Sequence, residues 1–236
     1  VVQLLWKNAA RMLACGYGGW WFDMWGGWFD DPVLMNVLTR HRELANLPPL
    51  DPPEMRPQVC VVVDETANAH DRSQGRLAEK IFRHRYTMAR IGAPYAIILS
   101  SDLAKLEPGR FTCIWMLGVQ QSTAALLNEA ERLCGAPGCA IITDIDGTKS
   151  ADGSPLFLPD ADLEAAATAV RQVVAACGAH LYLNTTDVLY AGRGWLGLHA
   201  VEAGEKQIRL PFAAHVTDVI TNSCLSTHTV TEITLN

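Results

Sequence analysis

The chain has 236 residues, 49% of them hydrophobic and 19% charged, which accommodates one large domain or two small ones with a sizeable core. A net charge of −6 and a pI near 5.6 leave no basic footprint for a phosphate backbone, so nucleic acid is not an expected partner. No apolar stretch reaches the roughly 18 residues of a spanning helix, and the first residues lack the basic and apolar regions of a signal peptide, so no membrane is expected either.

In chain order, Leu4, Leu5, Ala9, Met12 and Leu13 recur at helical spacing and Gly16 supplies a stop, predicting a first helix over residues 1–15. Tyr17 to Met24 reads as a short buried strand. Asp31-Pro32 then opens a second helix through about Leu44, with Asp at the cap and Pro in the first turn. Five prolines in the eleven residues from Leu47 to Pro57 mark a linker. Beyond it the β-branched run Val59 to Val63 predicts a strand buried on both faces. A helix over 71–91, strands over 95–99 and 112–117, a helix over 122–133, a strand over 139–143, a helix over 160–177 and a strand over 180–183 follow. This alternation predicts a parallel, doubly wound sheet. From Thr185 the helices stop, and the runs 188–190, 195–201, 207–210, 216–220 and 229–235 predict a small antiparallel β module. Opening in an amphipathic pattern without Met and closing in a strand pattern, the chain reads as a piece of something longer.

Four of the seven tryptophans fall between Trp20 and Trp28. Burying four such rings together is difficult, because each is large and each indole N–H needs a partner. Interleaved with Gly and Asp they suit a ligand-facing loop, with flat apolar faces for a sugar ring, carboxylates for its hydroxyls, and glycines that let backbone approach closely. A packed domain end or a partner interface is the competing reading.

Three stretches carry a resemblance: Gly18-Gly19-Trp20-Trp21-Phe22-Asp23-Met24 with Trp28-Phe29-Asp30-Asp31-Pro32; Val61-Val62-Val63-Asp64-Glu65 with Ile91-Gly92-Ala93-Pro94-Tyr95 and Leu99-Ser100-Ser101-Asp102-Leu103; and Gly194-Trp195-Leu196-Gly197-Leu198-His199. In this order they resemble the C-terminal half of family 42 glycoside hydrolases, the bacterial β-galactosidase group. The resemblance implies residues 1–47 as the remnant of a (β/α)8 barrel, 48–57 as a linker, 58–184 as a flavodoxin- or amidotransferase-like trimerisation domain, and 185–236 as a small antiparallel β-sandwich module. It implies a carbohydrate partner, a homotrimer and no metal or organic cofactor. Trp20 to Asp31 would lie at the C-terminal end of the eighth barrel strand, the face where barrels carry their active sites. Trp20, Trp21, Trp25 and Trp28 would then stack on sugar, and Asp23 and Asp30 would accept from its hydroxyls. Asp30 and Asp31 also compete for the cap of the next helix. The family's two catalytic glutamates follow the fourth and seventh barrel strands and would precede Val1, so this chain alone is expected to hydrolyse nothing by that mechanism.

Rival readings are an alternative non-catalytic carbohydrate-binding or oligomerisation module, and a Mg-dependent phosphatase. The latter rests on Cys139 to Thr148, whose Asp144-Ile145-Asp146-Gly147-Thr148 resembles the first motif of haloacid-dehalogenase-type phosphatases. Asp144 would be the nucleophile and Asp146 the acid/base. Thr185 and Thr186 offer the later Ser/Thr, but no acidic pair ends a later strand. The third strand's turn, Leu117 to Ser122, lacks the Cys of an amidotransferase elbow. Asp64, Glu65, Asp102 and Asp144 follow strand ends, where open sheets bind ligands, yet no glycine-rich fingerprint accompanies the first strand. His41, His84 and the cationic stretch Arg83-His84-Arg85 with Arg90 read as solvated helix faces, and His199 and His215 as structural groups of the β module. The seven cysteines are odd in number, and Cys60, Cys113 and Cys139 lie in apolar runs, which favours a reducing, cytoplasmic compartment. Cys134 and Cys139 are the closest pair, without the second pair that a zinc site needs.

Overall fold

The computed structural model describes residues 1–22, 30–48, 50–71, 75–119, 124–134, 139–143 and 162–235. Its centre is a four-stranded parallel sheet of β1 (Val59–Val63), β2 (Tyr95–Leu99), β3 (Cys113–Leu117) and β4 (Ala140–Thr143), in the order β2-β1-β3-β4. Alternate residues of these strands feed two cores. Val59, Val61, Trp115 and Ile142 pack against α4 (Arg76–Met88) and α6 (Leu163–Ala176) on one face. Cys60, Val62, Ile114 and Met116 pack against the short 3-10 helix Ser100–Lys105 and α5 (Ala124–Leu133) on the other. A strand with apolar neighbours on both faces needs no polar alternation, which is why Val59–Val63 is a continuous apolar run.

The ends of the chain form a second body. Helix α1 (Val2–Cys15) ends at Gly16, whose left-handed φ of 70° lets its N–H bond Met12 O. The helix lies across the hairpin of β5 (Val188–Gly192) and β6 (Trp195–His199), and α2 (Pro32–Ala45) packs beside it. At Gly197 the approach is so close that a Cβ would sit 2.5 Å from the Ala10 Cβ. The inner face of the hairpin covers a ribbon of β7 (Lys206–Ala214) and β10 (Val230–Leu235), enclosing Leu189, Ala191, Ile208 and Met55. Met55 comes from a 3-10 turn, Pro53–Met55, that anchors the proline-rich linker in this core. Two-residue strands β8 (Thr217–Asp218) and β9 (Ser223–Cys224) make a further small pair, and α3 (Glu65–Ala69) caps the end of β1.

Several expectations are corrected. Residues 17–22 form no strand: Tyr17, Trp20 and Phe22 are exposed, and no described strand lies beside them to pair with. The helix expected over 71–91 is the shorter α4, Arg76–Met88, and a separate helix, α3, precedes it at Glu65–Ala69. Residues 180–183 do not extend the parallel sheet, because their backbone is used elsewhere. Tyr182 N–H donates to Gly92 O, Arg209 N–H donates to Tyr182 O, and Leu183 bridges Ile208. His84 is buried rather than solvated, edge-on to Trp115 and bonded through Nδ1 to Thr87 Oγ1 at 3.2 Å. Arg90 is also buried, stacked 4.0 Å over Tyr86 and donating to Thr186 O. Cys134 and Cys139 are joined as a disulfide, whereas Cys15, Cys60, Cys113, Cys177 and Cys224 are free thiols. Among the described residues no helix is long and apolar enough to cross a membrane, and no cluster of three metal-ligating side chains occurs.

Candidate functional site

The turn after α1 presents an aromatic ledge. Trp20 is 76% exposed and meets Phe22 edge-to-face at 5.0 Å, while Trp21, half-buried, sets its ring edge-to-face on His41 of α2 at 5.9 Å. Burial lowers the His41 pKa. Asp31 Oδ1 accepts from Val33 N–H at 2.7 Å and Leu34 N–H at 3.2 Å, so it is the cap of α2. Asp30 is exposed and takes no part in that cap. Its carboxylate and the Trp20 face therefore both open to solvent. Asp23, Trp25 and Trp28 lie outside the described residues, as do Asp144, Asp146 and the turn at 120–123.

The acidic residues at the strand ends serve the fold. Asp64 Oδ1 caps α3 through Ala67 N–H at 3.0 Å. Glu65 accepts from the N–H groups of Ser101 and Ser100 and from Ser100 Oγ. The Ser101 side chain first, then these bonds, bring its carboxyl down to about 2 against the opposing effect of burial. Asp102 pairs with Lys105 one turn on. Thr185 Oγ1 donates to Asp187 at 2.6 Å. The acidic candidates at this sheet edge among the described residues are thus already engaged.

A larger feature, not foreseen from sequence, is a cavity of about 880 Å³ between α1, the β6 strand and the β7–β10 ribbon. Trp6, Lys7, Ala10 and Leu13 line it from α1, every residue from Gly194 to His199 lines it along β6, and Leu210, Phe212, Ile233 and Leu235 line it from the ribbon. Its walls are mainly apolar and aromatic, and its size is within the range of ligand sites. Burial lowers the His199 pKa, and the neighbouring Lys7 and Arg90 charges lower it further against an opposing pull from Asp187. The acidic groups at the rim are engaged: Asp51 pairs with Arg56, and Asp218 accepts from Thr221 Oγ1 and Ile220 N–H. The α1 stripe at positions 3, 6, 7, 10 and 13 was the one signal available in the sequence, since helical periodicity marks a covered face without naming what covers it.

Compared with known proteins, the chain matches no family model, no curated protein and no solved structure.

Proposed function

We propose that the chain is the C-terminal portion of a retaining, β-galactosidase-like glycoside hydrolase, supplying an aromatic wall of the sugar site and a domain for assembly. The observation that carries this reading is the ledge, on which an indole face and a phenyl ring stand in water edge-to-face. Exposed flat rings of this kind have little value to a core and suit the apolar face of a pyranose. The parent's acid/base and nucleophile belong to earlier barrel strands, so the fragment binds sugar without cleaving it. The strand order β2-β1-β3-β4 supports a flavodoxin- or amidotransferase-like middle domain, because that fold family uses the same order. Assembly is supported by exposed apolar side chains of this domain: Ile97 and Leu99 on its edge strand β2, 41% and 43% exposed, and Phe82 of α4, 65% exposed. The compartment we propose is the cytoplasm, on the strength of five free thiols and against the one Cys134–Cys139 disulfide.

The test is a titration of the chain with galactose and lactose followed by tryptophan fluorescence, beside Trp20→Ala. Expected are a saturable change at millimolar sugar, at least tenfold weaker in the variant, and no hydrolysis of a chromogenic galactoside. Absence of a saturable response, or equal affinity in the variant, would overturn the reading.

A further inference from the structure

The cavity lies along an unfinished sheet. Strand β6 pairs with β5 alone, and among the described residues no hydrogen bond reaches the backbone groups on its outer edge. A residue run that lines a cavity with both parities, as Gly194 to His199 does, presents its edge rather than one face. That edge, Trp195-Leu196-Gly197-Leu198-His199, has none of the lysines or prolines that usually protect a free strand from pairing. On one side of the slot stands α1, with Trp6, Lys7 and Ala10; on the other stands the apolar ribbon face, with Leu210, Phe212 and Ile233. Lys7 makes no ion pair and no hydrogen bond among the described residues, whereas the acidic groups at the rim are engaged.

We propose that this slot receives an extended, largely apolar peptide segment of a partner protein, which adds as a third strand to β6 and turns an acidic side chain toward Lys7. Main-chain bonds to the β6 edge supply affinity, and alternate side chains enter the two walls. An occupant buried on both sides reads as β-branched residues with a single carboxylate. A small apolar molecule would fill the volume but leave the β6 amides unpaired, and an acidic surface peptide would leave the apolar walls wet.

The probe is an acetylated, amidated heptapeptide of alternating valine and threonine with one central glutamate, titrated into the full chain by calorimetry. Two further peptides carry N-methyl groups on alternate amides, each set on one edge of the strand. Expected are saturable binding, a loss of at least tenfold for one methylated peptide with less than threefold for the other, and a loss of at least tenfold with Lys7→Glu. Slowed hydrogen exchange at the Leu196 and Leu198 amides, the two that point away from β5, is the structural readout on peptide addition. Absence of binding at millimolar peptide, equal behaviour of the two methylated peptides, or indifference to Lys7→Glu overturns the proposal. So does protection of those amides that rises with chain concentration without peptide, which assigns the edge to a second copy.

Discussion

The ion pair between Lys206 and Asp187 offers the sharpest test of how the β module is held. Lys206 Nζ stands 2.8 Å from Asp187 Oδ2, and the two side chains are only 9% and 3% exposed. Asp187 also accepts from Thr185 Oγ1 at 2.6 Å and from Val201 N–H at 2.7 Å, so one carboxylate joins the start of β5, the end of the hairpin and the start of β7. Burial would raise its pKa, but the bonds from Lys206, Thr185 and Val201 outweigh that and bring it down to about 2 from 3.8. At 1.36 kcal/mol per unit, this is worth about 2–3 kcal/mol. Because the folded value is depressed, the stabilisation is complete above pH 4 and is lost as pH falls toward 2. Removing one partner leaves the other charged, buried and under-compensated: Lys206→Met and Asp187→Asn are each expected to cost about 3 kcal/mol. The double variant should cost about 2 kcal/mol less than the sum of the singles, since neither charge is then stranded. Urea unfolding followed by circular dichroism at pH 7 gives the cycle, and the same curves between pH 5 and 2 give the linkage. The Asp187→Asn variant should lose stability more gently with acid than the wild type, by those same 2–3 kcal/mol. Either single variant within 1 kcal/mol of wild type, or an unchanged acid slope in Asp187→Asn, refutes this account.

At the α1–hairpin contact, Gly197→Val places its Cβ against the Ala10 Cβ and should cost about 1–3 kcal/mol by overpacking, read as a lower urea midpoint. A neutral result would mean that α1 is free to shift. Asp31→Ala removes the acceptor for two N–H groups of α2 and should cost about 1 kcal/mol, whereas Asp30→Ala should not destabilise that helix. Equal losses in the two would remove the assignment of Asp31 as the cap. Reducing the Cys134–Cys139 disulfide, which closes a loop of sequence separation 5, should lower stability by about 2 kcal/mol in the chain-entropy account. A Cys134→Ser/Cys139→Ser variant should then be insensitive to reductant, and continued sensitivity would point to another pairing.

The parallel sheet was legible because its strands are buried on both faces, and such burial forces uninterrupted apolar runs that sequence displays directly. Val59–Val63 was bounded to the residue for this reason, and the edge strand Tyr95–Leu99, though partly exposed, by its own apolar run. The cap of α2 was legible too, since Asp31-Pro32 combines an acceptor with a residue that needs no donor at that position. His84 was misread because its Arg neighbours drew the reading outward. Its place in the stripe Leu77, Ile81, His84, Met88, Ile91 is a core position by helical period, and that period outweighs local charge. Residues 180–183 misled for a different reason: a short apolar run fixes that a segment is buried, not which backbone it pairs with. The cavity and the Asp187 pair were illegible because each joins residues far apart in the chain, such as Lys7 with His199 and Asp187 with Lys206. No local period encodes such meetings.

This distant pairing ties the ledge to the β module. Helix α1 delivers Trp20 and Trp21 at its C-terminal end, and its body rests chiefly on β5 and β6. Arg40 of α2 reaches the Val219 carbonyl in the same module, so both helices flanking the ledge are referenced to residues nearly 200 positions away. The parallel sheet, by contrast, meets the disulfide at the start of β4, on the α5 side. Gly197→Val and reduction of Cys134–Cys139 should therefore be comparable as lesions of stability but different as lesions of binding. In the sugar titration, Gly197→Val should weaken the response several-fold by tilting α1, while the reduced chain should bind as before. If reduction weakens binding as much as Gly197→Val, the ledge is positioned by the parallel sheet instead, and the β module has no special hold on it.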